Sequence, residues 1–444
     1  MQSYLDIYKE FSQTIKDNSA KALNAGRDEA FKAFSTKGFP KKTDEEYLNS
    51  RISDCMAIDY GINLKRLSLD IKQGELYQCR VPNINAIMAF MLNDRFYISD
   101  KEQTKLPNGV VFCSISEAEK RHPELIKKYF FSISPKEKDS FTLFNDTFSQ
   151  DGFFLYVPEN TEIDTPLQLI NIVNGAGVPI INFTHNLIVV EKGARLKLLV
   201  CDHTSSQQES FSSRQTEVFL ADQSDFEFCK VENTSRKANL IEQIFVNQQN
   251  EANAKFNNLS LLNSTSRTQI EADINGERSS LYLGGMLISD GSQETENYTI
   301  IRHNAPNSTS NELFKYILDD SSHGIFSGRI VVNQVAQKTE SRQTNRNICL
   351  TREASMNARP QLEIYADDVK CGHGATTGQL DAEAMFYMKQ RGIDEKTARL
   401  MLLGAFVQDV IDQIGVEALR ERLKIMVEQR LRGENAHCEN CSIC

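Results

Sequence analysis

Apolar residues recur at Leu5, Tyr8, Phe11 and Ile15 in YLDIYKEFSQTIKDNSAKALNAGRDEAFKAF, a spacing of three and four that predicts an amphipathic helix. Gly38 and Pro40 in GFPKKTDEE end that run and open a charged connection. PNGVVFCSISEAEKRHPELIKKYF then predicts a short strand around Val110 to Cys113 and a helix behind it, with Ser116 as N-cap. From about residue 142 the pattern changes to short runs rich in Val, Ile, Leu, Phe and Thr between polar turns, which predicts strands.

Four of those runs follow one script, a polar turn and then alternating apolar residues: EKGARLKLLV, ADQSDFEFCKV, NEANAKFNNLSLL and NGERSSLYLGGML. Aligning Leu196, Phe226, Phe256 and Leu281 gives separations of 30, 30 and 25 residues by subtraction. A loose repeat of that length suits coils that cannot bury an apolar face alone, and predicts a right-handed parallel β-helix. A β-sandwich competes, but the β region spans about 230 residues with no clear second unit.

After GATTGQL the period returns to helical. Asp381 caps a helix through AEAMFYMKQR, Gly392 ends it, and Asp394 caps a second through EKTARLMLLGAFVQDVIDQI. Met401, Leu402, Ala405, Phe406 and Val410 form the apolar stripe expected on that second helix. A third follows Gly415, with Leu419, Leu423 and Met426 on one side. The expected chain is therefore mainly β: a mainly helical N-terminal region over 1–135, a β-helix core over 136–378, a helical C-terminal region over 379–432 suited to docking another protein, and a Cys-rich tail over 433–444.

Composition narrows the function classes. The 444 residues are 40% hydrophobic and 25% charged, as in an ordinary soluble protein. A net charge of −10 gives no overall footprint for nucleic acid or anionic lipid. The first twenty residues lack the basic and apolar regions of a signal peptide, and no apolar run approaches ~18 residues, so a cytoplasmic protein without a membrane span is expected. In that compartment the ten cysteines are reduced thiols, ligands or small core residues rather than a disulfide framework.

No G-x-x-x-x-G-K-[ST], G-x-S-x-G, H-E-x-x-H or strand-to-helix G-x-G-x-x-G occurs, so no nucleotide is expected on this chain and the expectation is a non-catalytic protein. Thiols carry the candidate chemistry. In ADDVKCGHGAT, residues 366–376, an extended backbone puts Cys371 and His373 on one face, where both can reach a metal. Lys370 sits beside the thiol in sequence and on the opposite face of a regular strand. Cys201 and His203 repeat the i, i+2 geometry at the end of a run. The tail HCENCSIC gives Cys438, Cys441 and Cys444 a C-x2-C-x2-C spacing with His437 adjacent, which lets three sulfurs turn toward one ion or cluster. Each has a plain alternative, a buried or hydrogen-bonded group for the first two pairs and a frayed terminus for the tail.

ELFKYILDDSSHGIFSGRIVV, QTNRNICL and LEIYADDVKCGHGATTGQLDAEAMFYMKQRGI resemble the SufB/SufD family of the SUF iron–sulfur cluster assembly scaffold. The strong match runs over about residues 310–410, with weaker similarity in the β-rich middle and in GVVFCSISEAEKRHPELIKKYF. CGHGAT stands where SufB-like members have an E-H-E-A-T type segment, which places the chain on the SufD side. The resemblance implies a right-handed parallel β-helix flanked by helices, pairing with SufB, and docking of the SufC ATPase on the C-terminal helices, with a possible homodimer in isolation. It also implies a transient iron–sulfur cluster formed at the SufB–SufD interface and passed to apo-proteins. Cys371 and His373 fall on the family's cysteine and histidine, with His373 the better candidate ligand. DEEYLNSR, from Asp44 to Arg51, replaces an E-E-W-K-Y-T type segment, and the cysteine tail lies outside the family pattern. The alternatives are a metal-binding or redox protein working through that tail, and a carbohydrate-active β-helix enzyme.

Overall fold

The computed structural model describes residues 1–67, 85–135, 137–204 and 208–434. Short strands β1 (Gly61–Ile62), β2 (Ile87–Leu92), β3 (Arg95–Ile98) and β4 (Val111–Ser114) come first. The chain then runs through β5 (Phe153–Val157), β6 (Leu167–Val173), β7 (Ile180–Val190), β8 (Arg195–Thr204), β9 (Ser210–Leu220), β10 (Asp225–Asn233), β11 (Ala238–Gln248) and β12 (Asn253–Leu262). It continues through β13 (Thr265–Ile274), β14 (Ser280–Ser289), β15 (Glu294–His303), β16 (Thr309–Leu318), β17 (His323–Val332), β18 (Glu340–Cys349), β19 (Ser355–Ile364) and β20 (Lys370–Gly378). From β5 onward, odd-numbered strands pair in parallel in one sheet and even-numbered strands in a second. The result is a parallel β-solenoid of about 8 turns with helices at both ends of the chain, and not a sandwich.

A corner fixes the length of each coil. Gly193, Gln223, Glu251, Arg278, Asn307 and Lys338 all take positive φ. Each is followed by a small residue, Ala194, Ser224, Ala252, Ser279, Ser308 and Thr339, that is fully buried. One left-handed residue turns the chain sharply, and a small side chain lets the next strand pack against the coil beside it. The register puts Leu196, Phe226, Ala254, Leu281, Ser310, Ser341 and Cys371 on one inward-facing column. Phe256 lies two residues along, paired with Phe228 and Leu283. The repeat is therefore 27 to 31 residues by subtraction rather than 30, 30 and 25. Alignment on phenylalanine misplaced one coil because the inward position there is an alanine.

Gly276 shows how tightly the corners stack: a Cβ there would lie 2.0 Å from the Asn250 nitrogen and 2.0 Å from the Gln249 carbonyl carbon, both backbone. Backbone cannot step aside as a side chain can, so Gly276→Ala is expected to destabilise the chain by about 2–3 kcal/mol, read as a lower urea midpoint at unchanged slope.

The solenoid is closed at one end only. Antiparallel β2–β3 and β4–β5 cover its first coils. The N-terminal helices lay Tyr4, Phe34, Phe144 and Phe148 on the outer face of the first sheet, against Ile181, Phe183 and Phe211. Leu5, Tyr8 and Ile15 face inward as expected, whereas Phe11 is 38% exposed. Ser114, not Ser116, caps the helix Ile115–Arg121; the Ser116 hydroxyl instead donates to Asp151. Ser140–Phe148 forms a helix inside the region read as strands: Phe141, Phe144 and Phe148 keep a spacing of three and four, and the polar residues between them are buried as well. The segment Asp44–Arg51 straps the first sheet. Tyr47 lies 4.1 Å from the Arg267 guanidinium, Arg51 pairs with Glu294 at 2.8 Å, and Arg359 of β19 donates to the Glu45 carbonyl at 3.0 Å.

At the C-terminus Asp381 and Asp394 cap helices Ala382–Gln390 and Glu395–Ile411, and Glu417–Leu431 follows. The last two pack on the outer face of the second sheet. Leu403, Val407, Val410, Leu419, Leu423 and Val427 meet Cys201, Cys229, Leu259, Met286 and Ile317 there. Only Val410 of the expected stripe on the middle helix is buried; Met401 is 53% exposed. No helix among the described residues is long and apolar enough to cross a membrane.

Candidate functional site

β20 is the last strand of the second sheet and β19 the last of the first, so the final coil has no coil above it. Within β20, Cys371 pairs in register with Ser341 and His373 with Gln343. Those rungs continue inward to Ser310 and to Glu312. Ser341, Gln343, Ser310 and Glu312 are buried, so the two columns face the solenoid interior, and Cys371 and His373 cap them at the open end. The structure thus places both on one face, with Cys371 half-buried against the core and His373 exposed.

The opposite face of β20 carries Gly372, Gly374 and Gly378, where an added Cβ would meet nothing within 4 Å. These glycines answer no packing need of the chain itself. Gly372 and Gly374 border a groove of about 970 Å³, lined also by Arg342, Arg346, Lys370 and Asp409. Lys370 pairs with Glu340 at 2.7 Å rather than with the thiol. Burial pushes the Cys371 thiol up, partly offset by a backbone hydrogen bond from Ser341. It is therefore a protonated thiol until a cation displaces the proton.

Among the described residues no group of three or more His, Cys, Asp or Glu side chains converges as a metal site. Cys371 and His373 supply two donors of the kinds an iron–sulfur cluster takes, and a closed ligand set needs about four. The donor chemistry fits a cluster, and two donors alone do not close its ligand set.

Below the pair lies a polar interior that alternation alone had not exposed. His303 is fully buried, bonded to Ser308 and Ser310 at 2.7 and 2.9 Å, and Ser310 to Ser341 at 2.6 Å. Glu312 is fully buried, accepts a hydrogen bond from the Gln343 amide nitrogen and meets no cation; burial raises its carboxyl to about 7. Burial lowers His303 to about 4. The two act oppositely on stability. From pH 4.5 to 7 the folded chain holds a Glu312 proton that the unfolded chain has released, so stability falls as pH rises. From pH 4 to 6.5 folded His303 lacks a proton that the unfolded chain holds, so stability rises. Glu312→Gln removes the first effect alone. It is expected to gain about 2–3 kcal/mol on wild type between pH 4.5 and 8, measured as the difference between their urea-unfolding free energies.

The other sequence candidates separate. Cys201 is buried beneath the C-terminal helices as a packing residue, while His203 sits half-exposed at the end of β8. Cys438, Cys441, Cys444 and His437 lie outside the described residues. Glu312 and Gln343 escaped the sequence reading. Once the coil length is known, stepping back from His373 by 30 and 31 residues reaches both.

Comparison with known proteins agrees with this architecture. Residues 171–406 match the family model for the SUF system FeS cluster assembly SufBD core domain, and residues 1–169 that for the SufBD protein N-terminal region. An iron-sulfur cluster assembly SufBD family protein of Synechocystis is 27% identical over 399 residues, 88% of this chain and 87% of its own. The iron-sulfur cluster assembly protein SufD of Bacillus subtilis is 26% identical over 337 residues, 73% of this chain and 74% of its own. SufD of Escherichia coli is 36% identical over 167 residues, 38% of this chain and 40% of its own. An open-ended solenoid with an incomplete thiol–imidazole pair on its last coil, together with these two matches spanning most of the chain, leads to one conclusion: the chain belongs to the SufBD family of iron–sulfur cluster assembly proteins.

Proposed function

We propose that this chain is a non-catalytic scaffold subunit on which a nascent iron–sulfur cluster is held as cargo, between Cys371 and His373 and the ligands of a SufB-type partner, before passing to apo-proteins. The observation that carries this reading is the open last coil: an unpaired edge strand presenting one thiol and one imidazole, with bare glycines on its other face. A long unpaired edge invites a partner strand. Val335, Ile364 and Tyr365 stand exposed nearby, at 66%, 41% and 60%, as apolar surface for that partner. Sharing the ligand set leaves the site exchangeable, which suits a product that must leave.

A SufC-type ATPase docks, in this reading, on the C-terminal helices, where Phe386, Tyr387 and Met401 are 64%, 60% and 53% exposed. The division into an N-terminal helical region to residue 135, a β-helix core to 378 and docking helices to 432 belongs to the same proposal. Nucleotide-driven movement reaches the cluster site only if the ATPase states bind the two interface arrangements with different affinity.

The edge gives a specific test. The Lys370 N–H bonds inward to Thr339, so by alternation the N–H groups of Cys371, His373 and Ala375 point to the free edge. Ala375→Pro removes one outward donor without touching the β18–β20 ladder. Co-expressed anaerobically with SufB- and SufC-type partners, wild type is expected to yield a complex with iron and acid-labile sulfide, and Ala375→Pro a folded chain with at least tenfold less SufB-type partner. The isolated wild-type chain is expected to pair with a second copy through the same edge and to carry no cluster. Normal partner capture by Ala375→Pro would place the interface elsewhere.

A further inference from the structure

Gln343 occupies the rung directly beneath His373, and Glu312 the rung beneath Gln343. Both are fully buried. Above pH ~7 Glu312 is an ionised carboxylate, which only accepts hydrogen bonds, so the Gln343 amide nitrogen must face it there, as it does. That orientation leaves the Gln343 carboxamide oxygen buried and without a hydrogen-bond partner. A buried acceptor left unpaired is costly, and an amide held in that orientation calls for a donor. Room for this side chain is built in, because a Cβ on Gly328 across the interior would lie 2.2 Å from the Gln343 amide nitrogen.

We propose that Gln343 is a positioning residue for His373: its carboxamide oxygen accepts the imidazole N–H, and Glu312 keeps the carboxamide turned that way. Resting on the reading of His373 as a ligand, the consequence is that one ring nitrogen carries the proton and the other is left free, with its lone pair directed out of the open end. Ligating histidines are commonly fixed by such an acceptor, and losing it typically costs 10–100-fold in metal affinity. Glu312 acts through Gln343 and touches neither the ring nor the cluster.

The test reads the ring before any cluster is present. The full chain is labelled with ¹⁵N-histidine and held near pH ~8.5, where Glu312 is ionised; the His373 signals are those missing from His373→Ala. Wild type is expected to show one neutral tautomer. In Gln343→Leu the minor tautomer is expected to rise about fivefold. Glu312→Gln, nearly isosteric, is expected to do the same, since a carboxamide at 312 donates as readily as it accepts and frees Gln343 to turn; it keeps the test alive if Gln343→Leu fails to fold. Equal tautomer populations in wild type and in the folded variants would overturn the proposal. In the co-purified complex, Gln343→Leu is expected to retain about tenfold less iron. A tautomer shift with full iron retention in both Gln343→Leu and His373→Ala would uphold the positioning by Gln343 and refute His373 as a ligand.

Discussion

Arg214→Met is expected to destabilise the chain by about 3–5 kcal/mol, seen as a large fall in both urea midpoint and melting temperature. Arg214 faces the solenoid interior, its guanidinium 2.8 Å from Asp202 and 2.9 Å from Glu242. Lys230 closes the set at 2.6 Å from Glu242. The field of these carboxylates raises Arg214, and Arg214 and Lys230 together lower Asp202 against its burial. Two cations meet two carboxylates at hydrogen-bond distance in a buried space, and the field of a third buried carboxylate, Glu232, also falls on Lys230. Removing one cation leaves a buried carboxylate with half its partners, and the cost is that of the uncompensated charge rather than of the lost pair. Adding Asp202→Asn to Arg214→Met is therefore expected to recover part of the loss, as coupling within one network requires. Equal and additive effects would mean that the charges do not share one site.

The same polar interior marks where the sequence was hard to read. Strand alternation, the turn-then-strand script and the caps at Asp381 and Asp394 were legible because each depends on neighbours within a few residues. Coil length was not. Its marker is a left-handed corner residue followed by a small buried one, and the corner residue is Gly193, Gln223, Glu251, Arg278, Asn307 or Lys338, six residues of five further chemical kinds beside glycine. Aromatic residues drew the eye instead, and Phe256 displaced the register by two. The stripe on Glu395–Ile411 misled for a related reason. That helix is apolar on more than one side, and the side left exposed at Met401 is the one proposed to receive a partner. Cys371 and His373 could be paired from their spacing alone. Glu312 and Gln343 could not, because residues some 30 positions apart become neighbours only through the solenoid.

His373→Ala is expected to leave folding and partner binding intact and to strip the cluster from the complex. His373 is exposed on the last coil and its ring packs into no core cluster of the described residues, so its removal opens no cavity in the chain. Cys371 is different: it is half-buried against the core, its burial holds the thiol up, and Cys371→Ala is expected to cost some stability as well as cluster. In the proposed reading both residues belong to one ligand set shared with the partner, so loss of either is expected to cost the cluster. The deciding measurement is iron and acid-labile sulfide per anaerobically co-purified complex, for wild type, His373→Ala and Cys371→Ala side by side. Intact complexes in which His373→Ala keeps less than about a tenth of the wild-type iron are the expected result. Full cluster in both variants would contradict a shared site on the last coil and make the thiol and imidazole structural.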